Sequence, residues 1–170
     1  MRATTSYAIA ALLFTSGIAA AKAARPIRIA AKYGSGAILT AEDEISAFEI
    51  SIQPNGKTSI STFTHRHGHL KKTSRTLSLS PTQIDRIARV VTDSRFFELP
   101  SDLEGTATDS PFYTLDIAMG AQQARVSVHA PAFYRGKSFL RRFRRVWAAV
   151  SQEVGFTRNG GALHHLNVNS

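Results

Sequence analysis

The sequence predicts an α+β fold, a two-layer sandwich in which an antiparallel sheet of two hairpins carries two helices on one face, in the order ββ(β)αββα. Three observations support this class. Apolar and polar residues alternate in two pairs of segments joined by turns. Apolar residues recur at helical spacing in two further segments, and each helical segment follows a hairpin. Strands with one apolar face and helices with one apolar stripe are most simply buried against each other.

Residues 1–23 are predicted to be a secretory signal peptide. Arg2 precedes an apolar stretch, and the segment ends in Ala21-Lys22-Ala23, a small-residue cleavage pattern. Cleavage after Ala23 leaves 147 of the 170 residues and a net charge of +7 in place of +9, because Arg2 and Lys22 are removed. No later stretch reaches the ~20 apolar residues of a membrane span. We therefore expect a periplasmic or secreted protein with no membrane span.

The remaining chain is predicted to form one domain between two flexible segments. Residues 24–44 show no sustained period and are expected to be flexible, so that order begins near Ile45. The α+β domain is expected over residues 45–155, and the polar residues 156–170 are expected to form a flexible tail. The chain has no cysteine, which excludes disulfides and thiolate metal sites.

The first hairpin is predicted from alternation around a tight turn. Residues 45–52 alternate as a half-buried strand, Asn55-Gly56 suits a hairpin turn, and residues 57–63 form the partner strand. A short third strand is expected over residues 77–80, where leucine and serine alternate.

The first helix has the clearest start signal in the chain. Ser80 is predicted as the N-cap, Pro81 takes the first helical position, and Gln83 completes a capping box. The helix is expected to end near Ser94, and Pro100 prevents any continuation.

The second hairpin and the last helix repeat this order. Residues 113–119 and 125–129 alternate as paired strands, and residues 138–154 form a helix. At about 100° per residue, its apolar side chains fall within an arc of about 120°. Those side chains are Phe139, Leu140, Phe143, Val146, Trp147, Val150 and Val154.

Three motifs in this part of the chain resemble those of a domain-of-unknown-function family of exported bacterial proteins. They read SRFFELP, ATDSPFYTLDI and VSVHAP, with FFxLP and TDxPxYxL as their most specific parts. The resemblance covers roughly residues 48–154. It implies the hairpin and helix order and an exported location, and it implies no reaction. Many members carry a cysteine pair and a lipoprotein signal, which this chain lacks.

His65, His67 and His69 are the candidate metal ligands. Residues two apart on a strand share a face about 7 Å apart, so two imidazoles could reach one Cu²⁺ or Zn²⁺. The alternative is an exposed connection between strands, which the nearby charges favour because they repel a cation. These charges belong to Arg66, Lys71 and Lys72.

Arg141, Arg142, Arg144 and Arg145 are the candidate anion-binding residues. They lie outside the apolar arc of the last helix, where guanidinium groups could bind phosphate or carboxylate groups of an anionic envelope surface. The alternative is an ordinary solvated helix face.

An enzyme is not expected. The Gly-Lys-Thr at residues 56–58 lacks the P-loop glycine, because position 51 is serine, and there is no H-E-x-x-H motif or paired-carboxylate pattern. The sequence therefore predicts a non-catalytic binding module without a cofactor, whose partner is an envelope or secreted protein and not nucleic acid. The alternatives are copper or zinc binding by the histidines and anion binding by the arginines.

Overall fold

The computed structural model of the chain describes residues 26–36, 45–66, 68–103, 109–129 and 137–156, and the predicted signal peptide lies outside them. The strands are β1 (Ile27–Gly34), β2 (Ile45–Ile52), β3 (Lys57–Arg66), β4 (His69–Ser78), β5 (Asp102–Leu103), β6 (Phe112–Met119) and β7 (Gln122–His129). The helices are α1 (Pro81–Asp93) and α2 (Ser138–Glu153), and a 3₁₀ turn covers Phe96–Glu98.

One sheet contains all the described strands, in the order β4-β3-β2-β1-β6-β7-β5. Every neighbouring pair is antiparallel except β5 and β7, which are parallel. The prediction of an α+β protein with an antiparallel sheet and two helices is therefore confirmed. Among the described parts of the chain, neither helix is long and apolar enough to cross a membrane.

The prediction that residues 24–44 are a flexible segment and that order begins near Ile45 was wrong for residues 27–34. These residues form β1, which lies at the centre of the sheet between β2 and β6. Ile29 pairs with Ile52 on one side and Ile117 on the other, and all three are fully buried. Burial of alternate side chains keeps β1 in the sheet. Residues 37–44 lie outside the described residues.

The core is formed by alternate residues of the strands together with the apolar sides of α1 and α2. The ring of Trp147 on α2 lies 5.7 Å from the ring of Phe48 and 5.1 Å from that of Tyr113. Aromatic contacts at these distances add to the burial of the rings themselves. The buried side chains of α1 are Ile84, Ile87 and Val91.

Helix α1 begins as the sequence predicts. The Ser80 hydroxyl accepts a hydrogen bond from the backbone N–H of Gln83, and the Gln83 side chain accepts one from the N–H of Ser80. The helix ends at Asp93, with Ser94 as its C-cap. A capping box satisfies two N–H groups that otherwise lack partners at a helix start, which explains why this boundary can be predicted locally.

Helix α2 confirms the predicted span, and the chain beyond it stays packed for slightly longer than expected. The predicted tail began at residue 156, but the ring of Phe156 lies 4.4 Å from that of Phe48 and packs against the core. An ion pair joins the two helices, since Glu153 at the end of α2 lies 3.0 Å from Arg86 of α1. Residues 157–170 lie outside the described residues.

Candidate functional site

His65 and His69 lie at the end of the β3–β4 hairpin. His65 pairs with Leu70, and the next pair is Arg66 with His69. Residues directly opposite each other share a face and neighbouring pairs alternate faces, so His65 and His69 lie on opposite faces of the hairpin. His67 lies outside the described residues. Among the residues that the structure describes, no group of three His, Cys, Asp or Glu side chains could hold a metal. Copper or zinc binding therefore stays a prediction.

Strand β4 forms a long edge of the sheet and has little cover on either face. Nine of its ten residues are exposed, and only Leu77 is partly buried. The strand is ten residues long, whereas the sequence predicted only a short strand at its C-terminal end. An edge strand has a row of backbone N–H and C=O groups without a partner in its own sheet.

The exposed side chains of β4 are strongly basic. The strand contains Lys71, Lys72, Arg75 and His69, and no Asp or Glu. The ammonium group of Lys72 lies 5.4 Å from the ring centre of Phe63, its partner on β3. Arg75 donates a 3.1 Å hydrogen bond to the carbonyl of Val154 at the end of α2. These contacts hold two of the cations along the edge.

The second face of the sheet, opposite the buried strand side chains, carries mainly small and polar side chains. Lys32 and Glu49 form an exposed 2.9 Å ion pair across β1 and β2. The hydroxyls of Thr114 and Ser127 lie 3.2 Å apart across β6 and β7. This face therefore has its own hydrogen bonds between neighbouring strands, and its exposed charges have both signs.

An aromatic pair lies on the same second face at the end of β6. The ring of Phe112 is 37% exposed and stacks at 5.9 Å on the imidazole of His129. Gly34 leaves room for this ring, since a Cβ at position 34 would lie 2.2 Å from it. A larger residue at this position would displace Phe112.

The four candidate arginines of α2 do not form one surface, because they lie in different environments. Arg141 and Arg145 are exposed, as a solvated helix face requires. Arg142 is committed within the molecule. Its guanidinium donates to the carbonyl of Ser94 at 2.7 Å and also to the carbonyl of Arg95. Cationic donors at a helix C-terminus satisfy its free carbonyls and stabilise its dipole.

Arg144 differs from the other three arginines because part of its guanidinium is buried without a hydrogen-bond partner among the described residues. Its Nε and Nη2 atoms are inaccessible to solvent and have no hydrogen-bond partner among the described residues. Burial lowers the pKa of Arg144, and the neighbouring Tyr113 acts in the opposite direction. The guanidinium therefore lies within electrostatic range of the Tyr113 hydroxyl.

Tyr113, which neighbours Arg144, is fully buried. Burial raises the pKa of Tyr113 well above its usual range, Tyr33 raises it further, and the charge of Arg144 opposes both effects. The rings of Tyr33 and Tyr113 lie 5.1 Å apart. The indole Nε1 of Trp147, three residues after Arg144, is also buried without a partner among the described residues.

Neither a family model nor a curated protein matches the chain. The resemblance to an exported family therefore stays a prediction, and the function has to be argued from the structure.

Sequence reasoning did not single out β4 as a surface or Trp147 as a polar group. The Lys and Thr content of residues 71–76 was the available signal for an exposed strand. The signal for Trp147 was its position three residues after Arg144 on an otherwise apolar helix face, since an indole N–H needs a partner when it is buried.

Proposed function

We propose that the chain is a non-catalytic binding module that acts outside the cytoplasm, and that it binds an acidic, extended segment of a partner protein along β4. The main support for this proposal is the edge strand β4. Nine of its ten residues are exposed, and none is acidic. Addition of a strand to a sheet edge is a recurring way to bind a peptide, with affinity from main-chain hydrogen bonds.

The layer arrangement proposed here leaves this edge accessible. Both helices cover one face of the sheet. For α2, this is supported by the ring of Trp147, which contacts residues of two separate strands, Phe48 and Tyr113. The other edge of the sheet is different. There the two-residue β5 pairs with β7 over Ser127 and Val128, so that part of β7 is already occupied.

Charge favours an acidic partner over a second copy of the chain. In the antiparallel register that superimposes the centres of two β4 strands, Lys72 of one copy would face Arg75 of the other. Like charges directly opposite each other destabilise a strand pair, and lysines on an edge commonly prevent self-association. A strand with carboxylates at these positions would replace repulsion with attraction.

Export is part of the same proposal. The predicted cleavage after Ala23 falls before β1, which begins at Ile27. Removal of residues 1–23 would therefore leave every described strand intact. The +7 charge of the processed chain favours contact with acidic segments on the surfaces of other envelope or secreted proteins.

The test uses the variant Lys71→Glu/Lys72→Glu and a blocked ten-residue peptide in which pairs of Glu alternate with pairs of Thr, so that the added strand has carboxylates on both faces. Exposed ion pairs contribute about 0.2–1 kcal/mol each, and reversal of a charge adds repulsion to the lost attraction. We expect the double variant to bind roughly 5- to 150-fold more weakly, which corresponds to about 1–3 kcal/mol. Arg89→Glu/Arg145→Glu is the matched control, since it changes the net charge equally at exposed helix positions.

Calorimetry measures the affinity, and amide hydrogen exchange shows where the peptide binds. Pairing along the edge should slow exchange in β4, because its outward N–H groups gain acceptors. Equal loss of affinity in the two double variants would show that only net charge matters and would refute the proposal. Binding without slower exchange in β4 would also refute it.

A further inference from the structure

Two side chains on α2 have buried donors without a hydrogen-bond partner among the described residues. Trp147 is 1% exposed, and its Nε1 has no acceptor among the described residues. The same is true of Nε and Nη2 of Arg144, which lies one helical turn earlier on the same side of α2. Buried donors almost always have partners, since leaving one unsatisfied is unfavourable. Two such residues one helical turn apart indicate that an acceptor belongs here.

The two free atoms of Arg144 specify the shape of that acceptor. Nε and Nη2 form one edge of the guanidinium, with two parallel N–H groups that match the two oxygens of one carboxylate. The other described cation–carboxylate contacts use different residues, so Arg144 has no acidic partner within the described chain. A bidentate carboxylate would complete this edge.

The surroundings favour a monoanion. The rings of Phe48 and Tyr113 lie 5.7 Å and 5.1 Å from the ring of Trp147. The ring of Tyr33 lies 5.1 Å from that of Tyr113. A charge is costly to remove from water in such a place unless it is matched by an opposite charge. One guanidinium matches a single carboxylate, whereas a phosphate dianion would leave an excess negative charge.

We propose that Arg144 and Trp147 form a binding site for a carboxylate group, in which the guanidinium binds both oxygens and the Trp147 indole lies beside the bound group. The carboxylate could belong to a free organic acid or to the C-terminus of a peptide. This inference goes beyond the proposed function, since it uses α2 and not β4. The two proposals are tested with different ligands, so either one can be refuted without the other.

The single tryptophan makes the site directly observable, because Trp147 is the only one in the 170 residues. The indole N–H resonance and the fluorescence are followed while benzoate, acetate or an acetylated Ala-Phe dipeptide is added. Sodium chloride at equal ionic strength is the control for salt. We expect a saturable change with at least one carboxylate, and none with chloride or with the amide of the same dipeptide. Benzoate and the dipeptide distinguish an organic acid from a peptide terminus.

The variants Arg144→Gln and Arg144→Lys test the role of the guanidinium. The Gln variant should lose the saturable response, and the Lys variant should bind at least tenfold more weakly because an ammonium cannot form the bidentate pair. Arg141→Gln is the matched control on the exposed side of the same helix and should respond as the wild type does. Without ligand, Arg144→Gln should melt no lower than wild type, since it removes an unpaired buried charge.

Several results would overturn the proposal. A wild-type protein with no saturable response to any of the carboxylates has no such site. An unchanged response in Arg144→Gln, or an equal response to the dipeptide amide, would show that the guanidinium or the carboxylate is not required. A marked loss of stability in both Arg144 variants without ligand would show that Arg144 is satisfied within the chain.

Discussion

The placement of β1 at the centre of the sheet predicts a large effect for Ile29→Ala. The substitution removes three buried carbon atoms from a fully buried side chain that lies between Ile52 and Ile117. Transfer of these atoms out of the core costs about 2.4 kcal/mol, at about 0.8 kcal/mol for each. The remaining cavity adds to this cost, and we expect the free energy of unfolding to fall by about 2.5–4.5 kcal/mol.

Urea unfolding monitored by Trp147 fluorescence measures this change as a lower midpoint at constant slope. The control is Arg28→Ala, a substitution at the preceding, exposed position of the same strand. It should change the free energy of unfolding by no more than about 0.5 kcal/mol. If Ile29→Ala had an equally small effect, β1 would not contribute to the core. In that case β1 would also not hold Tyr33, near its end, beside Tyr113.

Three further predictions concern a turn, a helix end and a buried phenol. Gly56→Ala should destabilise the protein by more than the ~1–3 kcal/mol of an unfavourable backbone conformation, because φ is +83° there and the new Cβ would lie 2.4 Å from the carbonyl of Leu79. Arg142→Ala should cost about 1–2 kcal/mol, since the carbonyl of Ser94 loses its charged donor. The pKa of Tyr113 is raised in the folded state, so stability should fall as the pH rises above about 10, where unfolded tyrosine ionises. Its contribution to that slope is at most about 1.4 kcal/mol per pH unit.

Each of these predictions has a matched comparison. Gly120→Ala also places alanine at a positive φ, of +59°, but no atom lies within 4 Å of the new Cβ, so it should destabilise less than the change at Gly56. Arg141→Ala should be nearly neutral, because Arg141 is exposed. Tyr113→Phe should flatten the fall in stability above pH 10 seen in urea titrations. An unchanged slope would show that Tyr113 is not the group responsible, and equal effects within either pair would contradict the structural reason given for it.

Local signals explain why both helices could be predicted from the sequence. The capping residues of α1 lie next to one another, and the apolar stripe of α2 needs no knowledge of the rest of the fold. Strand β1 was missed although Ile27, Ile29, Ala31 and Tyr33 do alternate. Ala30 beside Ala31 weakens the contrast between its faces. The burial that reveals the strand comes from β2 and β6, which are distant in sequence.

Strand β4 was only partly predicted for the opposite reason. Hydrophobic alternation arises when one face of a strand is buried, and β4 has eight consecutive exposed residues before Leu77. Its ladder with β3 forms through the backbone, which leaves no apolar period in the sequence. The hydrophobic pattern of the sequence therefore did not reveal the surface on which the proposed function depends.

The distinction of Arg144 from the other arginines also depends on packing. A helical projection places Arg144 about 40° beyond the edge of the predicted apolar arc, at about 100° per residue. Ser151 lies between that edge and Arg144, and it is 2% exposed. The buried side of α2 is thus wider than its apolar residues indicate. Only the packing of α2 against the sheet shows that the guanidinium is partly inside this wider buried side.

The two proposed sites should respond differently to salt, and this difference follows from the burial of their charges. Lys71 and Lys72 are exposed, so ions screen them over a distance of roughly 8–10 Å at ordinary ionic strength. Their main contribution is to the rate at which an acidic partner associates. The free edge of Arg144 is inaccessible to solvent, and ions screen a buried pair much less. Salt should therefore weaken peptide binding at β4 strongly and carboxylate binding at Arg144 only slightly. If the two affinities fell in parallel, both probes would be binding to the same exposed charges.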